Sequence, residues 1–254
     1  MISSFTDFLN TLPAEITLFL FFIAASFFLL IFVKFFGKLG LYIYGVLAIV
    51  LGNIQVLKGT HLTFWEEPVA LGTILFSLTF SVSDILTECY GRRAAQRSVW
   101  LGFSSALMVT ALMTLTIGIR PLVGEGSTHP FIQGHKAIEV LFKPSIAIFS
   151  ASLIAYVVSQ FLDIFLFQKL KDLWPEKALW SRSILSTGTS FLIDNILFST
   201  LAWVLFAEIP VSMKTLIWTY ILGTYALRLL MAAGSLPLVY LARRLLVKAP
   251  DDTL

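Results

Sequence analysis

Four carboxylates and one arginine stand inside stretches of this chain that are otherwise apolar enough for lipid: Asp84, Glu88, Asp163, Asp194 and Arg228. At the centre of a membrane helix such a group costs about 2.5–3.5 kcal/mol on insertion scales, so each needs a partner, a wet cavity or a task. Asp84, Thr87, Glu88 and Gly91 are spaced i, i+3, i+4 and i+7, which is one helical face. Two carboxylates one turn apart repel; one takes a proton, or a cation, a basic side chain or a ligand donor lies between them. Ser159 stands one turn before Asp163, beside Gln160, and Thr187, Ser190 and Asp194 share a face that continues to Asn195. Asn53 and Gln55 close another apolar stretch. Polar groups from several helices predict a substrate or ion pathway rather than glue, although Arg228 could simply pair with Asp194 or Glu88. Paired carboxylates also suit an intramembrane aspartyl hydrolase, the competing enzyme reading. No Ser–His pair supports hydrolysis within the apolar stretches, because His61, His129 and His135 fall between them, and no H-E-x-x-H motif is present.

These groups need helices to carry them, and the composition says of what kind. Of 254 residues 57% are apolar and 13% charged, with a mean hydropathy of +0.87. Soluble domains carry about 25% charged residues, so the solvent is lipid. The formal charge of +3 is too small and too interrupted for a nucleic-acid surface. The single cysteine, Cys89, assigns neither a disulfide nor a metal site, and the absence of a G-x-x-x-x-G-K-[ST] motif excludes a P-loop ATPase. No cofactor site is read.

The fold class expected is an all-α integral membrane protein, a bundle of about seven transmembrane helices near 16–36, 39–57, 69–88, 99–119, 145–167, 184–207 and 215–241. The whole chain reads as one membrane domain, with 16–36 an extra N-terminal helix that is retained rather than cleaved as a signal peptide. One set of alternate loops holds twelve Lys and Arg, including Arg92, Arg93, Arg97, Lys171, Arg182 and Arg243; the other holds five, Lys58, Arg120, Lys136, Lys143 and Lys214. The asymmetry places the N-terminus outside and the C-terminus in the cytoplasm. Trp65, Trp218, Trp100 and Trp180 fall at span boundaries as headgroup anchors. Residues 120–144, with Gly124, Gly126, His129 and His135, read as an external loop. Gly45, Ala48, Gly52, Gly72, Gly102 and Gly188 would let helices approach closely.

Together the runs Asn53-Ile54-Gln55-Val56-Leu57-Lys58, Asp84-Ile85-Leu86-Thr87-Glu88-Cys89-Tyr90-Gly91-Arg92-Arg93-Ala94 and Val99-Trp100-Leu101-Gly102-Phe103 resemble the queuosine precursor transporter family, also described as vitamin uptake transporters. The likeness continues through Ser152, Tyr156 and Asp163, then Arg182 to Thr187 and Asp194, then Thr224-Tyr225-Ala226-Leu227-Arg228 to Pro237, covering residues 37–245.

The resemblance implies a multi-pass importer in the bacterial inner membrane that takes up queuine or a 7-deazaguanine base for queuosine salvage into tRNA. Its partners would be that small molecule and the lipid bilayer, with no nucleic acid; another heterocycle or vitamin is the alternative cargo. Neither an oligomer nor an energising partner is assigned. A deazaguanine offers a ring N–H beside an amine, which a carboxylate accepts together, and a carbonyl that needs a donor. Asp84, Glu88, Asp163 or Asp194 could supply the first, and Asn53, Gln55, Asn195 or Arg228 the second, with Tyr90, Tyr156 or a Phe stacking on the ring. Two positions depart from the family's usual pattern: Arg228 replaces Lys, and Ser235 replaces an acid. Arg cannot lose its proton, which disfavours a proton relay there.

Overall fold

The computed structural model describes residues 2–63, 65–121, 129–142, 146–174, 179–207 and 209–248. Among them five helices are long and apolar enough to cross a membrane. A short helix α1 (Ile2–Thr11) precedes α2 (Ala14–Gln55), which is continuous in hydrogen bonding but broken at Gly37, where φ is 52° and ψ −126°. That backbone belongs to glycine. The two halves fold back on each other: the Tyr44 hydroxyl donates to the Ala25 carbonyl at 3.1 Å, although 19 residues of unbroken helix would separate them by roughly 28 Å. A β-hairpin follows, β1 (Gly59–Leu62) against β2 (Trp65–Ala70), antiparallel, with Gly59 opposite Ala70.

Helix α3 (Gly72–Tyr90) is the axle of the bundle. Every residue from Gly72 to Thr87 except the half-buried Phe76 is buried, and α2, α4, α6 and α9 pack around it. A helix with no lipid face need not be uniformly apolar, and α3 is rich in Ser and Thr. Their hydroxyls donate back to their own helix, Ser77 to the Thr73 carbonyl (2.8 Å), Thr79 to Phe76 (2.7 Å) and Thr87 to Ser83 (2.7 Å), so most are satisfied without a neighbour. Gly91, at φ 80°, turns the chain into α4 (Arg92–Gly118). That helix buries little beyond one small-residue stripe, Ala94, Ser98, Gly102 and Ala106, spaced by four, and presents Met108, Leu112 and Leu115 outward.

The remaining elements are α5 (Pro130–Phe142), α6 (Ile146–Leu173), α7 (Leu179–Thr200) running into a π-helical turn (Leu201–Leu205), one turn α8 (Met213–Thr215), a second π-helical stretch (Leu216–Gly223), and α9 (Thr224–Lys248). The stretch expected as a loop at 120–144 is helical over Pro130–Phe142; Gly124, Gly126 and Lys143 lie outside the described residues, as does the Trp65 side chain. Trp100, Trp180 and Trp218 are exposed on the bundle surface.

Close approach is confirmed where small residues suggest it. A Cβ on Gly72 would sit 2.4 Å from the Gly52 carbonyl, and one on Gly102 would sit 2.7 Å from the Tyr156 hydroxyl. These contacts lock α3 to α2 and α4 to α6.

Candidate functional site

The polar groups of the bundle fall into three layers along its length. The first opens on a cavity of about 360 Å³, within the size range of small-molecule pockets. Each bordering helix lends it one stripe: Thr73, Phe76 and Phe80 from α3; Ser152, Ala155 and Tyr156 from α6; Asp194, Asn195, Phe198, Ser199 and Trp203 from α7 and its π turn; Tyr220, Thr224 and Arg228 from the last segment. Val56, Leu57 and the hairpin residues Gly59 and Ala70 complete the wall. The cavity therefore lies where α3, α6 and α9 begin and where α7 and the second half of α2 end. The Glu15 carboxylate of α2 holds the hairpin here, accepting from the Thr63 hydroxyl at 2.6 Å and from its backbone N–H. Those two hydrogen bonds, the hydroxyl's first, hold the Glu15 carboxyl below its ordinary range.

At the cavity's inner corner Arg228 Nη1 donates to Asp194 Oδ2, while Ser159 donates to Asp194 Oδ1 at 2.9 Å. The Arg228 guanidinium lies 5.6 Å over the Phe191 ring, which itself meets Phe80 edge-on at 4.6 Å. Asn195 donates to the Ile221 carbonyl (3.0 Å) and to the Thr224 hydroxyl (2.9 Å), bridging α7 to the π-helical stretch. On the far wall Trp203 and Tyr220 stack at 4.9 Å between centroids and 26° between planes. Both belong to π-helical turns, a geometry that recurs at functional sites because it re-aims side chains. Among the described residues the buried Trp203 Nε1–H and Arg228 Nε–H meet no hydrogen-bond partner.

One turn deeper lies the second layer. Asp84 and Asp163 are 1% and 0% exposed, and neither makes an ion pair with a described residue. Hydroxyls serve them instead: Ser183 donates to Asp84 Oδ2, Ser83 to Asp163 Oδ2 at 3.2 Å, and Thr187 reaches both Asp163 Oδ1 (3.2 Å) and Asp84 Oδ2 (3.5 Å). The Thr187 hydroxyl has a single hydrogen, so it serves one acid at a time.

The third layer closes the opposite end. Glu88 is reached by Arg182 Nη2 at 3.1 Å, Lys171 Nζ at 3.2 Å and Arg243 Nη1 at 3.5 Å, and Lys171 also donates to the Glu88 carbonyl at 2.9 Å. One carboxylate thus ties α3 to α6, α7 and α9. Lys38, just past the Gly37 turn, sits 5.4 Å over the Tyr90 ring at this same end.

Of the residues singled out by sequence, Asp194, Asn195, Arg228 and Tyr156 meet in the cavity. Asp84 and Asp163 meet each other beneath it. Glu88 and Tyr90 stand at the far end. Asn53 turns back to its own helix, donating to the Ile49 carbonyl at 2.9 Å, and the buried Gln55 Oε1 meets no partner among the described residues; neither borders the main cavity. Arg228 pairs with Asp194, one of the two partners expected, and a second buried arginine is new. Arg182, read from sequence as a loop cation, is fully buried, so the acids of the bundle have two deep arginines rather than one. The sequence reading also passed over Trp203 and Tyr220. Tyr220 stands about two turns before Arg228, but Trp203 stands about two and a half turns past Asp194, on the opposite face of a regular helix, and the π register that brings it round leaves no mark in the hydropathy.

The cavity is bordered by the second, third, fifth, sixth and seventh of the apolar stretches, the arrangement that a purely structural bundle would not leave open. Comparison with known proteins agrees with a transport role. Residues 70–242 match the family model described as "Putative vitamin uptake transporter". The chain is 31% identical over 227 residues to the "Probable queuosine precursor transporter" of Bacillus subtilis (strain 168), covering 88% of this chain and 90% of that protein. No solved structure matches. A bundle of apolar helices around a cavity with one charged corner is what such a transporter needs, and the chain belongs to the vitamin uptake transporter family as a multi-pass membrane protein.

Proposed function

We propose that this protein imports queuosine precursors, 7-deazaguanine bases, by binding the base in the cavity and alternating access between its two ends. The observation that carries the reading is the Arg228–Asp194 corner. Side by side, a guanidinium and a carboxylate offer a donor followed by acceptors. The guanine-like edge of a deazaguanine offers the complement: a carbonyl, a ring N–H and an amine. Trp203 and Tyr220 supply a flat aromatic wall. The printed name of the Bacillus subtilis relative supports the same cargo.

Seven membrane crossings, with the N-terminus outside, fit the broken α2 and the twelve-to-five split of basic residues. In that orientation the cavity faces outward, and the Glu88 cluster seals the cytoplasmic end. Transport then requires the α3, α6, α7 and α9 ends to part around Glu88. Domain organisation follows: one membrane unit, with 37–245 the transporting core and 16–36 folded against it as an added helix.

The hydrolase reading loses ground on burial. The two carboxylates that share a hydroxyl, Asp84 and Asp163, are sealed from the cavity wall, and an aspartyl mechanism needs a dyad that water reaches. The test is accumulation of labelled 7-deazaguanine bases and queuine in cells that cannot synthesise them. Uptake with the intact chain, lost in Asp194→Asn and Arg228→Ala, supports the reading; absence of uptake of every base by a well-expressed protein overturns it.

A further inference from the structure

We infer that Asp84 and Asp163 form a proton-binding site that couples entry of the base to entry of a proton. This deepens the importer reading and rests on it. The two carboxyl groups come from α3 and α6, are closed off from solvent, and lie within hydrogen-bonding reach of each other. Two carboxylates in such contact cannot both ionise, so the pair holds a proton between them. The Thr187 hydroxyl, 3.2 Å from Asp163 and 3.5 Å from Asp84, braces the pair from α7. Asp84 Oδ1 is buried and meets no donor among the described residues, and the shared proton supplies one. A metal cation needs oxygen lone pairs turned toward it, whereas the Ser83, Ser183 and Thr187 hydroxyls turn their hydrogens to the carboxylates.

A line of hydroxyls leads from the cavity to this pair. Ser159 donates to Asp194 Oδ1 at 2.9 Å and stands one turn before Asp163 on α6. Ser190 stands one turn from Asp194 and one from Thr187 on the same face of α7, so it points into the gap between cavity corner and pair. It is fully buried, and its hydroxyl meets no partner among the described residues. Ten residues of α6 follow Asp163 and at least ten of α7 flank Ser190 on each side, roughly 15 Å of rise, so the line runs well inside described helix. In loading, hydronium in the open cavity gives up a proton, each hydroxyl on the line accepts one O–H bond and releases another, and the last proton binds Asp163. Burial that denies the pair a hydrolytic water leaves this hop open. When the ends around Glu88 part, cytoplasmic water takes the proton and the two carboxylates separate. The structure is the outward-facing, loaded form.

The other ionisable groups on the helices around the pair have other places. Glu88 of α3 is held by Lys171 of α6, Arg182 of α7 and Arg243 of α9, and Asp194 of α7 by Arg228 of α9. Tyr156 of α6 borders the cavity, and the Tyr44 hydroxyl of α2 donates to the Ala25 carbonyl. Lys38 of α2, Arg92, Arg93 and Arg97 of α4, and Cys89, Lys169 and Asp172 belong to the Glu88 end.

The test is transport in proteoliposomes of the full-length protein, with a labelled 7-deazaguanine base at equal concentration on both sides. An inside-alkaline pH gradient, at clamped membrane potential, should drive at least threefold accumulation, and a sodium gradient none. Asp163→Asn should abolish the accumulation while exchange of labelled for unlabelled base stays within threefold of the unaltered rate. Infrared spectroscopy reads the proton itself: near neutral pH the unaltered protein should show a carboxylic C=O band that shifts in deuterium oxide and is lost in the Asp84→Asn, Asp163→Asn double variant. The gradient and infrared arms on the unaltered protein decide the matter whether or not the variants fold. Accumulation driven by sodium, accumulation indifferent to the pH gradient or undiminished in Asp163→Asn, or absence of the band overturns the inference and leaves the importer reading intact. Failure of every 7-deazaguanine base and of queuine to exchange, in a folded protein that shows the band, overturns that reading instead.

Discussion

The two ends of this bundle use the same chemistry for opposite purposes. At the cavity end one carboxylate, Asp194, meets one cation, Arg228, beside open space and an aromatic wall. At the other end one carboxylate, Glu88, meets three cations from three helices and is buried among them. A matched pair beside a cavity can turn toward a ligand without stranding a charge. A carboxylate that anchors three helices cannot be released without separating them. Buried ion pairs are weak evidence for stability as such, but breaking one by removing a partner is costly. The difference predicts that mutation will divide the molecule into a binding end and a holding end.

The largest effect is expected at the binding end. Arg228→Ala strands Asp194, and Asp194→Asn turns one of its two acceptor oxygens into a donor; each should lower base affinity by about 30-fold or more, measured by equilibrium binding, because truncating one member of a hydrogen-bonded charge pair costs about 2–5 kcal/mol. Next comes the holding end. Glu88→Gln leaves Arg182 buried without its carboxylate and should cost about 3–5 kcal/mol of stability, seen as a fall in the melting temperature and folded yield. Base affinity of the folded fraction should change less than threefold. If Glu88→Gln loses affinity while keeping its stability, the division between the ends is wrong.

A smaller effect separates packing from charge. Gly72→Ala drives a methyl group against the Gly52 carbonyl and should destabilise the protein by about 1–3 kcal/mol, since backbone cannot step aside as a side chain can. The smallest is at Glu15, which is half-buried and pins the hairpin at the cavity rim through Thr63. Its carboxyl is held below the ordinary range, so the contribution is present above that range and fades as pH falls through the lowered value. Glu15→Gln should lower the melting temperature slightly at pH 7, and the gap from the unaltered protein should close in acid.

Much of this was legible before any coordinates. The apolar stretches predicted the helices, and the i, i+3, i+4 spacing of Asp84, Thr87 and Glu88 correctly named a polar face. What spacing could not say is how that face is divided. Asp84 and Glu88 lie one turn apart on α3, yet Asp84 takes hydroxyls from Ser183 and Thr187 while Glu88 takes Arg182, because α7 runs antiparallel to α3 and offers different residues at each height. Register between helices is a tertiary property, invisible in one helix's periodicity. The same holds for Asn53 and Gln55, whose polarity suggested a site role although it is Val56 and Leu57, next along the chain, that border the cavity. The hairpin at Gly59–Ala70 and helix α5 also escaped notice, being short elements between strong apolar signals. Composition revealed the resting place of α3 only in part: its many hydroxyls look like a pathway, and several of them merely satisfy their own helix.

The central claim is that groups from separate helices converge on one cavity that receives the base. The most direct measurement places a single reactive thiol there, Ser199→Cys in a Cys89→Ser background, and follows its alkylation by a small water-soluble reagent in membranes with and without a saturating 7-deazaguanine base. The account predicts that the thiol reacts in the empty protein and that the base slows the reaction at least tenfold. Equal alkylation with and without a base that the protein demonstrably transports would contradict it.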